Sequence, residues 1–233
     1  MLNIIIPVGG KGRRFYDAGY KKYKPFLEVG DKTMIECVWD NVKLPEARLI
    51  LSVRPQDRDQ FQELFPAASI IVDDKQMGAA GGVLACKNLL GDDPCIVANS
   101  DQIVDASIEE FVDTEADGRI MTFHSDHPKW SYAKVCEDEV TYVAEKQVIS
   151  NNATVGIYYY KKGNEMIKAI EKMIEDGFRY NGEFYLCPAY NYYPRHKKID
   201  IYEINKSQMF GLGTPEDYEK NKVDAARVGK VSN

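Results

Sequence analysis

Short apolar runs alternate with helical spacings along the first hundred residues. Leu2-Asn3-Ile4-Ile5-Ile6, closed by Pro7, is a β-branched run that predicts a first buried strand. Residues 49–53, 69–72 and 95–98 are equally short apolar runs and predict three more strands. Between them the period changes. Met34, Ile35, Val38 and Val42 fall at helical spacing within 33–42. Phe61, Leu64 and Phe65 form the inner stripe of a polar helix over 56–65, and 78–90 opens with small residues and continues as an apolar helix. Strands separated by helices predict βαβ units and a mixed, mostly parallel sheet flanked by helices, an α/β Rossmann-like fold. Such sheets bind ligands at the carboxyl ends of their strands. The loops after Ile6, Val72 and Ala98 are therefore where chemistry is expected.

Past Asp101 the pattern turns β-rich. Short strands are predicted at 119–124, 133–136, 140–145 and 154–160, followed by a helix over 164–175 and an aromatic stretch over 178–193. A strand over 199–204 follows, and Thr214-Pro215-Glu216-Asp217 reads as a helix start: an N-cap, proline at the first helical position and acids in the first turn. No repeat, low-complexity segment or linker interrupts the chain. One domain over 1–233 is expected, with a βαβ half (1–115) and a smaller β-rich half (116–233).

Composition narrows the choice of partners. The 233 residues carry a net charge of −6, whereas a protein that grips a nucleic-acid backbone usually carries a positive surplus. Nucleic acid is thus not the expected partner. The basic residues are unevenly placed: Lys11, Arg13, Arg14, Lys21, Lys22 and Lys24 lie close together and can focus an anionic ligand. Five cysteines, an odd number with no C-x-x-C spacing, argue against a disulfide framework or a zinc site and for a reducing, cytoplasmic compartment. The opening apolar run is too short to span a membrane or to serve as a signal peptide, and no later run approaches membrane-spanning length, so no membrane partner is expected. His124, His127 and His196 receive no role.

Three motifs carry candidate chemistry. Pro7-Val8-Gly9-Gly10-Lys11-Gly12-Arg13-Arg14-Phe15 follows the first strand directly. Its glycines let the backbone approach a ligand closely, consecutive N–H groups can form an anion-binding concavity, and Arg14 can clamp phosphate oxygens. Lys24, before Pro25, can add a second positive charge. The spacing is neither Walker A nor the dinucleotide fingerprint. Gln76-Met77-Gly78-Ala79-Ala80-Gly81-Gly82 is the second motif: small residues admit a planar base, and Gln76 offers both a donor and an acceptor to a base edge. Asn99-Ser100-Asp101 is the third, a carboxylate at the end of a buried strand, suited to magnesium, which takes one or two carboxylates together with substrate phosphates and water.

Gly-Gly-x-Gly-x-Arg-Phe followed by Lys24-Pro25 resembles the signature of the sugar-phosphate nucleotidylyltransferase family, whose scaffold is also that of GT-A glycosyltransferases. The resemblance runs from Asn3 to about Tyr218. It implies that 1–115 is a nucleotide-binding half and 116–233 an acceptor-binding half. It implies that Val8, Gly9, Gly10, Gly12, Arg13 and Arg14 wrap a triphosphate, and that Lys24 neutralises the α-phosphate and the departing pyrophosphate. Gln76, Gly78, Ala79, Ala80 and Ser100 would hold the nucleotide, with Ala79 in place of a usual Thr, and Asp101 would hold Mg²⁺. Glu145-Lys146 resembles the family's Glu-Lys-Pro element, with Gln147 in place of Pro, which makes Lys146 the candidate for the acceptor phosphate. Trp130, Tyr132, Glu145, Asn152, Gly156 and Glu183 fall on segments that contact the acceptor. Arg14, Lys24 and Lys146 are the catalytic candidates. Two departures stand out: Gly211 occupies the position of a second metal aspartate in many members, and Trp130-Ser131-Tyr132-Ala133 replaces a Tyr-Gly common with sugar acceptors.

The expectation is a magnesium-dependent enzyme of bacterial capsule or surface-polysaccharide synthesis. It would join a nucleoside triphosphate to a phosphorylated metabolite such as a sugar 1-phosphate and release pyrophosphate. Pyrimidines are slightly favoured, with CTP and UTP or dTTP open and GTP beside them. Cytidylyl transfer to a phosphocholine-like, phosphonate or phosphoramidate acceptor is an alternative. A glycosyltransferase, or a nucleotide-binding protein without catalysis, is a rival of another kind.

Overall fold

The computed structural model describes residues 1–228. The last residues of the expected acceptor half, 229–233, lie outside the described ones. The chain runs β1 (Asn3–Val8), α1 (Arg13–Asp17), the short pair β2 (Glu28–Val29) and β3 (Lys32–Thr33), α2 (Met34–Val42), β4 (Arg48–Val53), α3 (Arg58–Leu64), β5 (Ser69–Val72), α4 (Ala79–Ala85), β6 (Cys95–Ala98), β7 (Gln102–Val104), α5 (Ile108–Val112), β8 (Gly118–His124), β9 (Ser131–Cys136), β10 (Glu139–Glu145), β11 (Asn152–Tyr160), α6 (Gly163–Glu175), β12 (Ile199–Ile204), β13 (Met209–Gly211) and α7 (Pro215–Val228).

The main sheet has the order β10-β9-β11-β6-β1-β4-β5, with β8 and β12 added beyond β11. Its N-terminal part is parallel, with β1 between β4 and β6 and β5 outside β4. The part added later is antiparallel around β11, apart from the parallel pair β8–β12. The result is the expected mixed sheet flanked by helices, and a single sheet crosses both halves of the chain.

β1 shows why the run was continuous rather than alternating. Ile4 and Ile6 enter one core layer, with α2 and Phe111, while Ile5 enters the other, with Ala80, Val83, Met166 and Ile170. A strand covered on both faces is apolar at every position. Past Ile5 the strand has lost β6 as a neighbour and pairs with β4 alone. Pro7 therefore falls on a one-sided stretch, where proline is tolerated, and the strand continues to Val8 rather than ending at Ile6. α2 starts at a capping box in which Thr33 and Glu36 satisfy each other's backbone N–H groups. The expected helix over 56–65 begins later, after a tight turn at Pro55–Asp57. The one expected over 78–90 ends at Ala85, and a separate turn spans Lys87–Leu89. Among the described residues, no helix is long and apolar enough to cross a membrane.

Candidate active site

After β1 the chain builds β4 and β5 on one side, then returns to place β6 on the other side of β1. That reversal opens a crevice between the carboxyl ends of β1 and β6, the usual ligand position in such sheets. The glycine-rich loop leaves β1 on one side of it, and Asn99-Ser100-Asp101 leaves β6 on the other. Arg13 and Arg14 stand exposed on α1, whose Phe15 is buried. Lys24 opens the turn Lys24–Phe26, and its Nζ donates to Asp101 Oδ2 at 2.7 Å; each side chain is 18% exposed. Leu212 N–H donates to Asp101 O at 2.8 Å, and a Cβ built on Gly213 would lie 3.0 Å from Asp101 Oδ2. The Gly211-Leu212-Gly213 segment thus packs directly on the carboxylate. Gln102 is buried beside it: its Nε2 donates to Asp101 Oδ1 at 3.3 Å, while its Oε1 is buried without a partner and faces Gly211.

The base-loop motif follows β5. Asp73 is buried, and its Oδ1 accepts from Lys75 N at 3.2 Å and Gln76 N at 3.0 Å. This holds Gln76 at φ 46°, in the left-handed region that a non-glycine residue rarely adopts. Gly78 has φ 100°, and a Cβ there would lie 2.8 Å from Phe184 O, so only glycine fits. Ala79 is partly exposed, but Ala80 is fully buried with its N–H bonded to Phe184 O at 3.1 Å. Ala80 therefore belongs to the packing beneath the loop rather than to the ligand surface expected for it.

On the far side, Lys146 sits at φ 51° just past β10. Its Nζ lies 2.9 Å from Tyr185 Oη, which accepts its hydrogen bond, and packs over the rings of Tyr185 (4.5 Å) and Tyr180 (4.9 Å). Glu145 is buried and accepts from the Ser131 hydroxyl, with Lys146 Nζ at 3.8 Å. Burial pushes its carboxyl above the ordinary value, against the opposing pull of Ser131 and Lys146. Trp130 packs edge-on against Phe123 at 5.3 Å, and its carbonyl accepts from Lys146 N–H at 3.1 Å. Glu183 is exposed and lies against Gly78. Gly156, at φ 96°, marks a shift in register in β11; a Cβ there would come within 2.7 Å of Asn99 Cγ. Two expected acceptor contacts are corrected. Tyr132 is fully buried with its hydroxyl bonded to His127 O at 2.7 Å, and the Asn152 side chain is tied to Ala133 O at 3.2 Å. The Tyr132 hydroxyl is spent on the loop between β8 and β9, and the Asn152 Nδ2 on β9, so neither of these donors is free for an acceptor in this arrangement.

Three residues at the crevice carried no motif. Tyr23 bonds the carbonyls of the glycine loop, Arg54 stacks on Tyr23, and Asp73 fixes Gln76. The one available signal was position: Arg54 and Asp73 each follow the carboxyl end of a parallel strand.

The family model described as Nucleotidyl transferase matches residues 3–220. The bifunctional protein GlmU of Methanococcus maripaludis strain C5 is 25% identical over 252 residues, an alignment that takes in 100% of this chain and 58% of that protein. GlmU of strain C7 is likewise 25% identical, over 248 residues, so the chain spans 58% of the length of these curated relatives. The solved structure of a nucleoside-diphosphate-sugar pyrophosphorylase from Vibrio cholerae superposes with a TM-score of 0.79 at 23% identity, covering 96% of this chain and 99% of that one. The inositol-1-phosphate CTP transferase of T. maritima gives 0.81 at 13% identity, covering 98% and 96%. These two likenesses concern the fold. The family match runs from the first strand into the last helix and takes in both walls of the crevice, and on that ground the chain belongs to the nucleotidyl transferase family.

Proposed function

We propose that this enzyme transfers a nucleoside monophosphate from a nucleoside triphosphate to the phosphate of a small metabolite and releases pyrophosphate. Pyrimidine triphosphates are the first donors to consider and sugar 1-phosphates the first acceptors. The observation that carries this reading is the Lys24–Asp101 pair beside the glycine-rich loop at the reversal of strand order. A carboxylate and an ammonium held together there can separate to serve a metal-bound triphosphate.

In this reading, loop amides from Gly9 to Arg13 and the Arg14 guanidinium take the β- and γ-phosphates. Lys24 leaves Asp101 for the α-phosphate, and Lys146 draws in the acceptor phosphate. The attacking oxygen is already an anion, so no general base is needed, and positioning and charge relief account for the rate. The donor set supports a hard divalent cation such as Mg²⁺: the Asp101 carboxylate and the partnerless amide oxygen of Gln102 are both oxygen ligands. Substrate phosphates and water would supply the remaining ligands. When bound, the metal offsets phosphate charge. Gln76 and Gly78 receive the base. Five free cysteines, four of them buried, support a reducing cytoplasmic setting. A role in surface-polysaccharide precursors fits the same chemistry.

A second acceptor class has its own support. Lys146 lies over the Tyr180 and Tyr185 rings with buried Glu145 beside it, and its N–H is bonded to the Trp130 carbonyl. This favours a compact phosphorylated amine or amide as a rival to a hexose 1-phosphate.

A grid of nucleoside triphosphates against phosphosugars, phosphocholine, phosphonates and phosphoramidates, read by pyrophosphate release, tests the proposal. Release that requires one triphosphate and one acceptor together is expected. Reaction with a nucleotide sugar in the absence of any triphosphate would overturn it.

A further inference from the structure

We propose that Tyr23 is the positioning residue of the phosphate loop, and that the buried Arg54–Asp57 pair holds it in place. The inference rests on the triphosphate reading above.

A loop that offers N–H groups to an anion must turn its carbonyls away, because a carbonyl oxygen facing a phosphate repels it. Those carbonyls then need donors on the protein side. Tyr23 meets that need: its hydroxyl lies 2.6 Å from Val8 O and 2.6 Å from Gly10 O, two carbonyls on either side of Gly9. One phenolic proton is shared between the two acceptors, so a single side chain orients both peptide groups. The loop also rests on the same residue further along, since a Cβ built on Gly12 would lie 3.5 Å from Lys24 Cβ and 3.6 Å from the Tyr23 ring. The dipeptide Tyr23-Lys24 thus sets the loop from beneath and carries the ammonium that pairs with Asp101.

The Tyr23 ring is itself fixed. Arg54 Cζ lies 3.6 Å from its centroid, and Asp57 holds the guanidinium through two hydrogen bonds, Nε to Oδ2 and a second N–H to Oδ1 at 3.0 Å. Tyr23, Arg54 and Asp57 are each 8% exposed. A buried ion pair adds little to stability compared with apolar side chains of similar volume, so its presence here is better explained by geometry. The planar guanidinium stacks on the ring, and two hydrogen bonds fix its plane. Burial raises the phenol's pKa while Arg54 pulls it down, so the proton stays on the oxygen for donation to the loop. Arg54 leaves β4 at its carboxyl end, which places the stack directly under the crevice.

The test measures binding of inorganic tripolyphosphate and of the preferred nucleoside triphosphate by calorimetry, with magnesium in excess, alongside KM for each substrate. Tyr23→Phe keeps the ring and loses the hydroxyl. It should weaken both ligands about tenfold, the scale of one lost hydrogen bond to an ordered loop, and raise KM for the triphosphate while leaving KM for the acceptor unchanged. Gln76→Ala, by contrast, should weaken the nucleotide and not tripolyphosphate. The double variant Arg54→Met with Asp57→Leu replaces the pair by apolar side chains, which keeps the fold testable if Tyr23→Phe is unstable. It should also weaken tripolyphosphate. Wild-type affinity for tripolyphosphate in Tyr23→Phe, or in the double variant, would overturn the clamp while leaving the triphosphate reading standing. Equal changes in both KM values would also overturn it. Failure of the unaltered protein to bind tripolyphosphate would overturn both.

Discussion

Lys24 and Asp101 cannot each do their proposed work while bonded to one another. The ammonium stands 2.7 Å from Asp101 Oδ2, where a cation held by that oxygen would be repelled. Free metal should therefore bind poorly until a triphosphate draws the ammonium off. Lys24→Ala should tighten Mn²⁺ binding to the nucleotide-free protein, followed by electron paramagnetic resonance, while lowering turnover by about 10²-fold or more. Unchanged Mn²⁺ affinity would mean that the pair does not guard the carboxylate. Asp101→Asn should lose Mn²⁺ binding altogether. Glu145 gives a pH signature. Its carboxyl is held above the ordinary 4.5, chiefly by burial. An acid whose folded value is raised favours the folded state while protonated. That contribution is complete below the unfolded value and is lost as pH rises through the folded one. Glu145→Gln removes the dependence, so its urea midpoint should gain on that of the wild type as pH rises above the ordinary carboxyl value of 4.5. A constant difference would show that Glu145 titrates normally.

At the scale of elements, β11 decides the shape of the crevice. Ile157 to Tyr160 pair with β6 on one edge, whereas Ala153 pairs with β9, and the strand shifts register between Thr154 and Tyr158. Gly156 sits at that shift, its carbonyl accepting from Asn99 N–H at 2.8 Å and its missing Cβ leaving room for the Asn99 side chain. Gly156→Ala should cost more than about 1 kcal/mol through backbone conformation and a further 1–3 kcal/mol or so through overlap with Asn99. Pairing it with Asn99→Ala in a double-mutant cycle, followed by chemical denaturation, should reveal a coupling of about 1–2 kcal/mol. Strictly additive losses would show that the overlap costs nothing. The same element separates what periodicity could foresee from what it could not. β1, β4 and β6 are buried on both faces, so their apolar runs announce them locally, and β5 is a half-buried edge strand with the same kind of run. β7 and β13 are three-residue strands that exist because Ile103 meets Phe210 across the chain. No local pattern encodes that pairing. Gln76, Lys24 and Asp101 were legible because they sit in motifs. Tyr23 and Arg54 were not, since a tyrosine beside a lysine and an arginine after a strand have no distinctive spacing. Their part arises only when β4 passes under the loop.

At the scale of the molecule, the crevice is assembled from distant parts of the chain, and its rigidity depends on how those parts are tied. Phe15, next to Arg14, meets Tyr20 at 5.3 Å and Tyr218 at 5.9 Å, and Tyr20 meets Tyr218 at 5.9 Å, all edge-to-face. Tyr218 also donates to Glu28 O at 2.6 Å, and Tyr20 donates to Glu219 at 2.7 Å. α7 is thereby riveted to α1 and to the hairpin of β2 and β3. Gly213, two residues before the helix, packs on Asp101, and Asn221 of the helix donates to Gly211 O at 2.8 Å. One C-terminal helix thus braces both walls of the crevice. Tyr218→Ala should cost about 3–5 kcal/mol, the range for deleting a buried aromatic ring. It should also raise KM for the triphosphate more than KM for the acceptor, because the loosened rings release α1 and Arg14. Tyr218→Phe keeps the three rings and loses one hydrogen bond, so it should cost only about 1 kcal/mol and leave both KM values in place. Thermal melts and initial rates on the two variants check this together. If Tyr218→Ala lowers stability and leaves both KM values unchanged, α7 stabilises the fold without setting the phosphate loop.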